Sequence, residues 1–128
     1  MHAGSVTAGR RVVLTIAPTL KMRVEFGGHP ALTVSLRGEL DVATADRLCA
    51  VLLDLMTEQT PHLIVDLAGV AFCDPYGLGG LVRVANYAER AGGSITLASP
   101  GPRIRGLINV TGLDRRFPVR GGDDVRST

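Results

Sequence analysis

The stretch Leu63-Ile64-Val65-Asp66-Leu67-Ala68-Gly69-Val70-Ala71-Phe72-Cys73-Asp74-Pro75-Tyr76-Gly77-Leu78 passes from strand chemistry to helix chemistry with almost no loop between. From His62 to Leu67 only His62 and Asp66 are polar, the composition of a mostly buried strand inside a parallel sheet covered on both faces. Phe72 and Cys73 end the extended segment, and Asp74 is a residue type that caps helix N-termini by accepting a backbone N–H. Pro75 suits the first helical position, where its fixed φ fits and its missing N–H would have no partner anyway. Leu78, Leu81, Val82, Ala85 and Ala88 then follow helical spacing, which predicts an amphipathic helix running to Gly92-Gly93.

The same alternation extends outward. Upstream, Met22–Phe26 and Ala31–Arg37 alternate apolar with polar around Gly27-Gly28-His29-Pro30, which predicts an antiparallel strand pair. Gly38-Glu39-Leu40-Asp41 leads into a helix marked by Ala45, Leu48, Leu52 and Leu55, with Asp41 placed as its N-cap. Downstream, Ser94–Ala98 reads as a strand, Pro100-Gly101 starts a third helix carrying Ile104, Leu107 and Ile108, and Phe117-Pro118-Val119 offers a short closing strand. The expected fold is one α/β domain of β-β-α-β-α-β-α order with a possible final strand. Its sheet is mixed and mostly parallel, with helices packed on it. The domain spans 21–120, preceded by an extension over 1–20 that is flexible or adds an edge strand, and followed by a flexible polar tail over 121–128. Arg10-Arg11 before Val12–Ala17 superficially resembles a twin-arginine export signal, but Pro18 stops the apolar run, Lys21 and Arg23 follow, and no small-residue cleavage site is evident.

Composition narrows the function classes. A chain of 128 residues, 45% hydrophobic and 20% charged, has apolar surface for one core. Aromatics make up 4% with no Trp, and the net charge is +2, so neither base stacking nor a phosphate-backbone clamp is supplied. Nucleic acid is therefore not an expected direct partner. Two cysteines without CxxC spacing and three scattered histidines give neither a disulfide framework nor a zinc site, and no metal or cofactor is expected. Cys49 lies about 12 Å along its helix from Asp41 at about 1.5 Å per residue, too far for a bridge to Cys73. Both thiols are expected reduced and mostly buried, in a cytoplasmic protein without membrane insertion.

In an open α/β sheet, ligands and partners gather where strand C-termini meet helix N-termini. Asp41 and Asp74 occupy two such joints. They would need an accompanying nucleophile, His or Lys to serve acid–base or Mg²⁺ chemistry, and the local sequence holds none, so an enzyme is not expected.

These residues resemble a known family. Gly38-Glu39-Leu40-Asp41, then Leu63 through Leu78, then Gly112-Leu113 before Phe117, are similar in type and order to the STAS domain of bacterial anti-sigma factor antagonists, over roughly residues 22 to 120. The resemblance implies a binding module that docks on an anti-sigma factor of the histidine-kinase-like ATPase type and frees a sigma factor for transcription. It implies a docking face around Asp41, Asp74, Tyr76, Gly77 and Leu78. In the family a serine at the start of the second helix, in an Asp-Ser-Ser-Gly-Leu motif, is phosphorylated to switch the antagonist off. Here the segment is Asp74-Pro75-Tyr76-Gly77-Leu78, so Pro75 replaces the first serine, Tyr76 occupies the acceptor position, and the usual phosphorylatable serine is missing. The alternative the family allows is a STAS subunit of a membrane transport or stress-sensing complex. Two further features invite expectations. Arg103, Arg105, Arg115, Arg116 and Arg120 are read as a solvated face rather than a basic patch, and Gly79-Gly80 carries a helix-propensity cost of about 1 kcal/mol per glycine that close approach of helix or partner would explain.

Overall fold

A computed structural model describes residues 10–26 and 31–121. The turn expected at Gly27–Pro30, the first nine residues of the extension and the tail from 122 lie outside the described residues. Among those described, the order is β1 (Arg11–Ala17), β2 (Leu20–Glu25), β3 (Ala31–Leu40), α1 (Ala45–Leu55), β4 (His62–Cys73), α2 (Pro75–Arg90), β5 (Ser94–Ala98), α3 (Pro102–Thr111) and β6 (Val119–Arg120), with a 3-10 turn at Leu113–Arg115. The expected α/β order is present, with one strand more. β1, inside the 1–20 segment, pairs antiparallel with β2 from Arg11↔Glu25 to Ala17↔Leu20. Ile16 is buried in the core.

The sheet runs β1-β2-β3-β4-β5-β6 in space as in sequence. β1, β2 and β3 are antiparallel neighbours, while β3 to β6 pair in parallel. Crossovers between parallel strands are right-handed. Three that step the same way place all their helices on one face, and the buried residues of α1, α2 and α3 join one cluster with the inward rows Leu32-Val34-Leu36, Leu63-Val65-Leu67 and Ile95-Leu97. The expectation that β4 is covered on both faces is thereby corrected. Leu63, Val65 and Leu67 are buried, while His62, Ile64 and Asp66 between them are only half-buried. The apolar run reflects a central strand shielded by its neighbours, not a second helical layer.

Helix boundaries follow local chemistry. α3 begins after Gly101 with Pro102 in its first turn and ends at Gly112, whose φ of 76° is the left-handed conformation that glycine adopts at helix C-termini. His62 Nδ1 and Ser94 Oγ meet at 2.8 Å across the β4–β5 ladder.

Because Ile16 packs into the common cluster, Ile16→Ala is expected to cost about 2–5 kcal/mol of unfolding free energy, measured by urea denaturation. A change within about 0.5 kcal/mol would place β1 outside the cooperative fold.

Candidate functional site

β3 and β4 end side by side, with Leu40 paired to Cys73 and the Asp74 N–H donating to the Leu40 carbonyl at 3.1 Å. Asp41 and Asp74, the next residues on each strand, therefore stand at neighbouring strand ends. Asp74 caps α2 as its sequence suggests, its Oδ1 accepting from the Gly77 N–H at 2.8 Å. Asp41 does not cap α1. That helix starts at Ala45 with Thr44 before it, and Asp41 instead closes the preceding turn, Oδ1 accepting from the N–H groups of Ala43 at 3.0 Å and Thr44 at 3.2 Å. The buried Thr44 hydroxyl sits against the Glu39 carbonyl at 3.1 Å, and this local network delays the helix by a turn. Both carboxylates are thus occupied by backbone donors.

Gly77 and Leu78 are buried and turn inward. A Cβ on Gly77 would fall 2.2 Å from the Leu40 carbonyl oxygen, so the glycine is what lets α2 seat on the end of β3. The part of the expected docking face they play is to position it. What α2 and the Asp41 turn show to solvent is Tyr76, 70% exposed, and Val42, 64% exposed. Phe72, just before the β4 terminus, is 48% exposed and borders a groove that runs between Val70–Cys73 and the start of α3 at Gly101–Ile104. Val42 and Phe72 are members of this surface that sequence reasoning missed. A β-branched apolar residue inside a polar turn was the available signal.

The two helix glycines divide. Gly80 faces Ala45 of α1, where a Cβ would lie 3.3 Å from the Ala45 Cβ and carbonyl oxygen, so it serves the α1–α2 contact. Gly79 has no atom within 4 Å of its would-be Cβ. Nothing within the described fold asks for a glycine there. Beside it the exposed pair Arg83–Asp46, at 2.8 Å, ties the two helices across their outer surface.

Cys49 and Cys73 are free thiols. Burial, and secondarily the Asp74 carboxylate, push the Cys73 thiol up to about 11. Burial also raises Cys49, with Arg83 opposing. Both are therefore thiols rather than thiolates at neutral pH. Of the arginines near the C-terminus, Arg116 bonds Glu89 and Asn86, and Arg105 donates to the Gly121 carbonyl at 2.8 Å. Among the described residues no cluster of His, Cys, Asp or Glu is arranged to hold a metal, and no helix is long and apolar enough to cross a membrane.

Residues 22–121 match the family model described as "Mlab, STAS domain". The chain belongs to the STAS domain family. It is 33% identical over 92 residues to an anti-sigma-B factor antagonist of Staphylococcus epidermidis, covering 72% of this chain and 85% of that one. A solved anti-sigma factor antagonist from Mycobacterium paratuberculosis superposes with a TM-score of 0.70 at 30% identity, over 81% of this chain and 88% of the other. The anti-sigma factor antagonist SpoIIAA in its unphosphorylated form shares the fold, with a TM-score of 0.67 at 20% identity over 84% and 97% of the two chains.

Within this STAS domain the glycines give opposed expectations. Gly77→Ala should lower Tm by several degrees, because the added methyl meets backbone that cannot move aside cheaply. Gly79→Ala should stabilise the free protein by roughly 0.5–1 kcal/mol, read by thermal unfolding. For Cys73, a thiol pushed up to about 11 is almost wholly neutral at pH 7, so its alkylation by iodoacetamide should be slow and should speed about tenfold per pH unit as pH rises toward that value. A rate already at its plateau at pH 8, followed by mass spectrometry of the Cys73 peptide, would contradict the burial that causes the shift.

Proposed function

We propose that this STAS domain acts by binding, as an anti-sigma factor antagonist. It docks on an anti-sigma factor of the histidine-kinase-like ATPase type and so frees a sigma factor for transcription. The observation that carries the reading is the similarity, over most of both chains, to proteins that bear that name. The surface at the β3 and β4 ends supports it. Two large apolar side chains, Tyr76 and Val42, stand exposed beside an α2 surface that Gly79 leaves without a side chain, which suits close approach of a partner backbone. Asp41 and Asp74 hold this surface in shape from beneath.

The phosphorylation switch of the family does not carry over. Tyr76 stands where the family places its acceptor serine, and a phenol hydroxyl lies several ångströms farther from the backbone than a serine hydroxyl, outside the near-attack geometry of a serine kinase. The segment lacks a means to place roughly −2 charge at the helix start, the step that would repel the partner. This antagonist is on with respect to that switch.

Tagged protein in native extract is expected to retain an anti-sigma factor of the kinase-like type, identified by mass spectrometry. Recovery of a membrane transport complex in its place would select the other role open to STAS domains. With the purified pair, Asp74→Arg should weaken binding about tenfold or more, since it sets a cation against the positive end of α2 and removes the cap. Unchanged affinity in a folded variant would place the interface elsewhere. Incubation of the pair with labelled ATP is expected to leave Tyr76 unlabelled, whereas Tyr76→Ser restores an acceptor; label on Tyr76 itself overturns the permanently active reading.

A further inference from the structure

The face of the sheet that carries no helix is chemically uneven. On it, Lys21 of β2 is directly opposite Arg37 of β3, and Arg23 is opposite Ser35. All three cations are exposed. Like charges directly opposite on neighbouring strands destabilise the pair. Their natural relief would be a carboxylate, and among the described residues the face has three: Glu39, two residues beyond Arg37 on the same row of β3, Glu25 and Asp66. Glu25 is opposite Arg11 at the other end of β2, while Asp66, next to Ser35 on β4, accepts from the Ala68 N–H at 2.9 Å. Among the described residues the ion pairs are Arg83–Asp46 and Arg116–Glu89, both on the helical side, and none involves Lys21, Arg23 or Arg37. These three line one shallow groove with Val13, Ser35 and Asp66.

We propose that this groove is a second binding surface, distinct from the β3–β4 ends, for an extended acidic segment of a partner protein. Charge complementarity and spacing argue for that occupant. Residues two apart on a strand stand about 6.6–6.8 Å apart on one face. An extended segment with acidic residues at alternate positions sets one carboxylate on Arg23 and the next on the Lys21–Arg37 pair. Arg23 and Arg37 offer the planar donors that carboxylates take in two bonds, and Ser35 adds a hydroxyl beside them. Val13, 66% exposed on the neighbouring strand, gives apolar contact to a flanking residue. An anionic bilayer fits less well: Glu25, Glu39 and Asp66 lie on the same face and would be repelled.

The test uses the full chain and a fluorescein-labelled peptide of alternating glutamates, read by anisotropy, with a peptide of the same composition but contiguous glutamates as control. Saturable binding that prefers the alternating peptide, weakens with added salt, and falls about tenfold or more in Lys21→Glu/Arg37→Glu is expected. Lys21→Glu alone should raise the Tm of the free protein by relieving the like-charge pair. Should the double variant fail to fold by circular dichroism, Lys21→Gln/Arg37→Gln is to show the same loss. Equal binding by wild type and variants, no preference for alternating spacing, a lower Tm for Lys21→Glu, or sedimentation with phosphatidylserine vesicles without peptide binding each overturns the proposal. The substitutions lie away from Asp74 and Tyr76, so anti-sigma factor capture by the double variant separates failure here from failure of the proposed function.

Discussion

Everything in this fold follows from a sheet wound in one direction. After the antiparallel β1-β2-β3 turn, each crossover steps from β3 to β4, β5 and β6 without reversing. With right-handed connections this leaves the helices no choice of side. One face receives α1, α2 and α3 and becomes the single core. The other receives no helix among the described residues and is largely polar, with Ile64 half-buried and Val13 exposed on it. The same winding has no point where strand order turns back, so the crevice that doubly wound sheets use for ligands does not form. What remains at the C-terminal edge, among the described residues, is a row of strand ends and helix starts with an open groove between Val70–Cys73 and Gly101–Ile104, a shape suited to meeting a protein surface.

The contact that registers this edge is between Gly77 and Leu40. The Asp74 N–H reaches the Leu40 carbonyl, and Gly77 passes so close to that carbonyl that no side chain fits. Asp74 then turns its carboxylate to the Gly77 N–H. A glycine near a helix start loses more backbone freedom on folding than alanine, a cost of roughly 0.5–1 kcal/mol. Burial of Leu78 and Leu81 directly behind it offsets that cost. The consequence is positional: the backbone at Tyr76, one residue before the clamp, is set by this contact, and its side chain is exposed.

The strand-to-helix joint at Asp74-Pro75 was legible because each residue there does one local thing: a cap and a fixed φ. Asp41 was harder. It is a cap residue too, but its carboxylate takes the N–H groups of Ala43 and Thr44 in a turn, the buried Thr44 hydroxyl accepts from the Asp41 N–H and donates to the Glu39 carbonyl, and α1 starts only at Ala45. Local propensity does not decide which of two cap-type residues three apart directly precedes the helix. The burial of β4 was misjudged for a different reason. Ile64 lies on the bare face, and flanking strands on both sides give a central strand an apolar run even where no helix covers it. β1 was left open between tail and edge strand because Val12–Ala17 has the composition of either; Ile16 reaching the core decides it. Gly77 and Leu78 were assigned to the outer surface with their motif, when only the three-dimensional approach of α2 to Leu40 separates residues that hold the face from residues that form it.

The same geometry sets what a phosphate at residue 76, the acceptor position in the proposed function, would meet. A phosphate near a helix start gains from the dipole and from free N–H groups. In this chain the Gly77 N–H at that start is already held by the Asp74 carboxylate, and Pro75 contributes none. A serine at residue 76 would bring its oxygen close to this crowded, negative cap, so that phosphorylation adds repulsion just where the surface is shaped. A tyrosine at the same place carries its oxygen out past the rim. It leaves the cap undisturbed and adds a broad exposed side chain to a surface where Val42 is also exposed. Under the proposed binding role, a tyrosine here would act in one direction on both counts: it would remove a site for charge at the interface and enlarge the apolar area that the interface would bury.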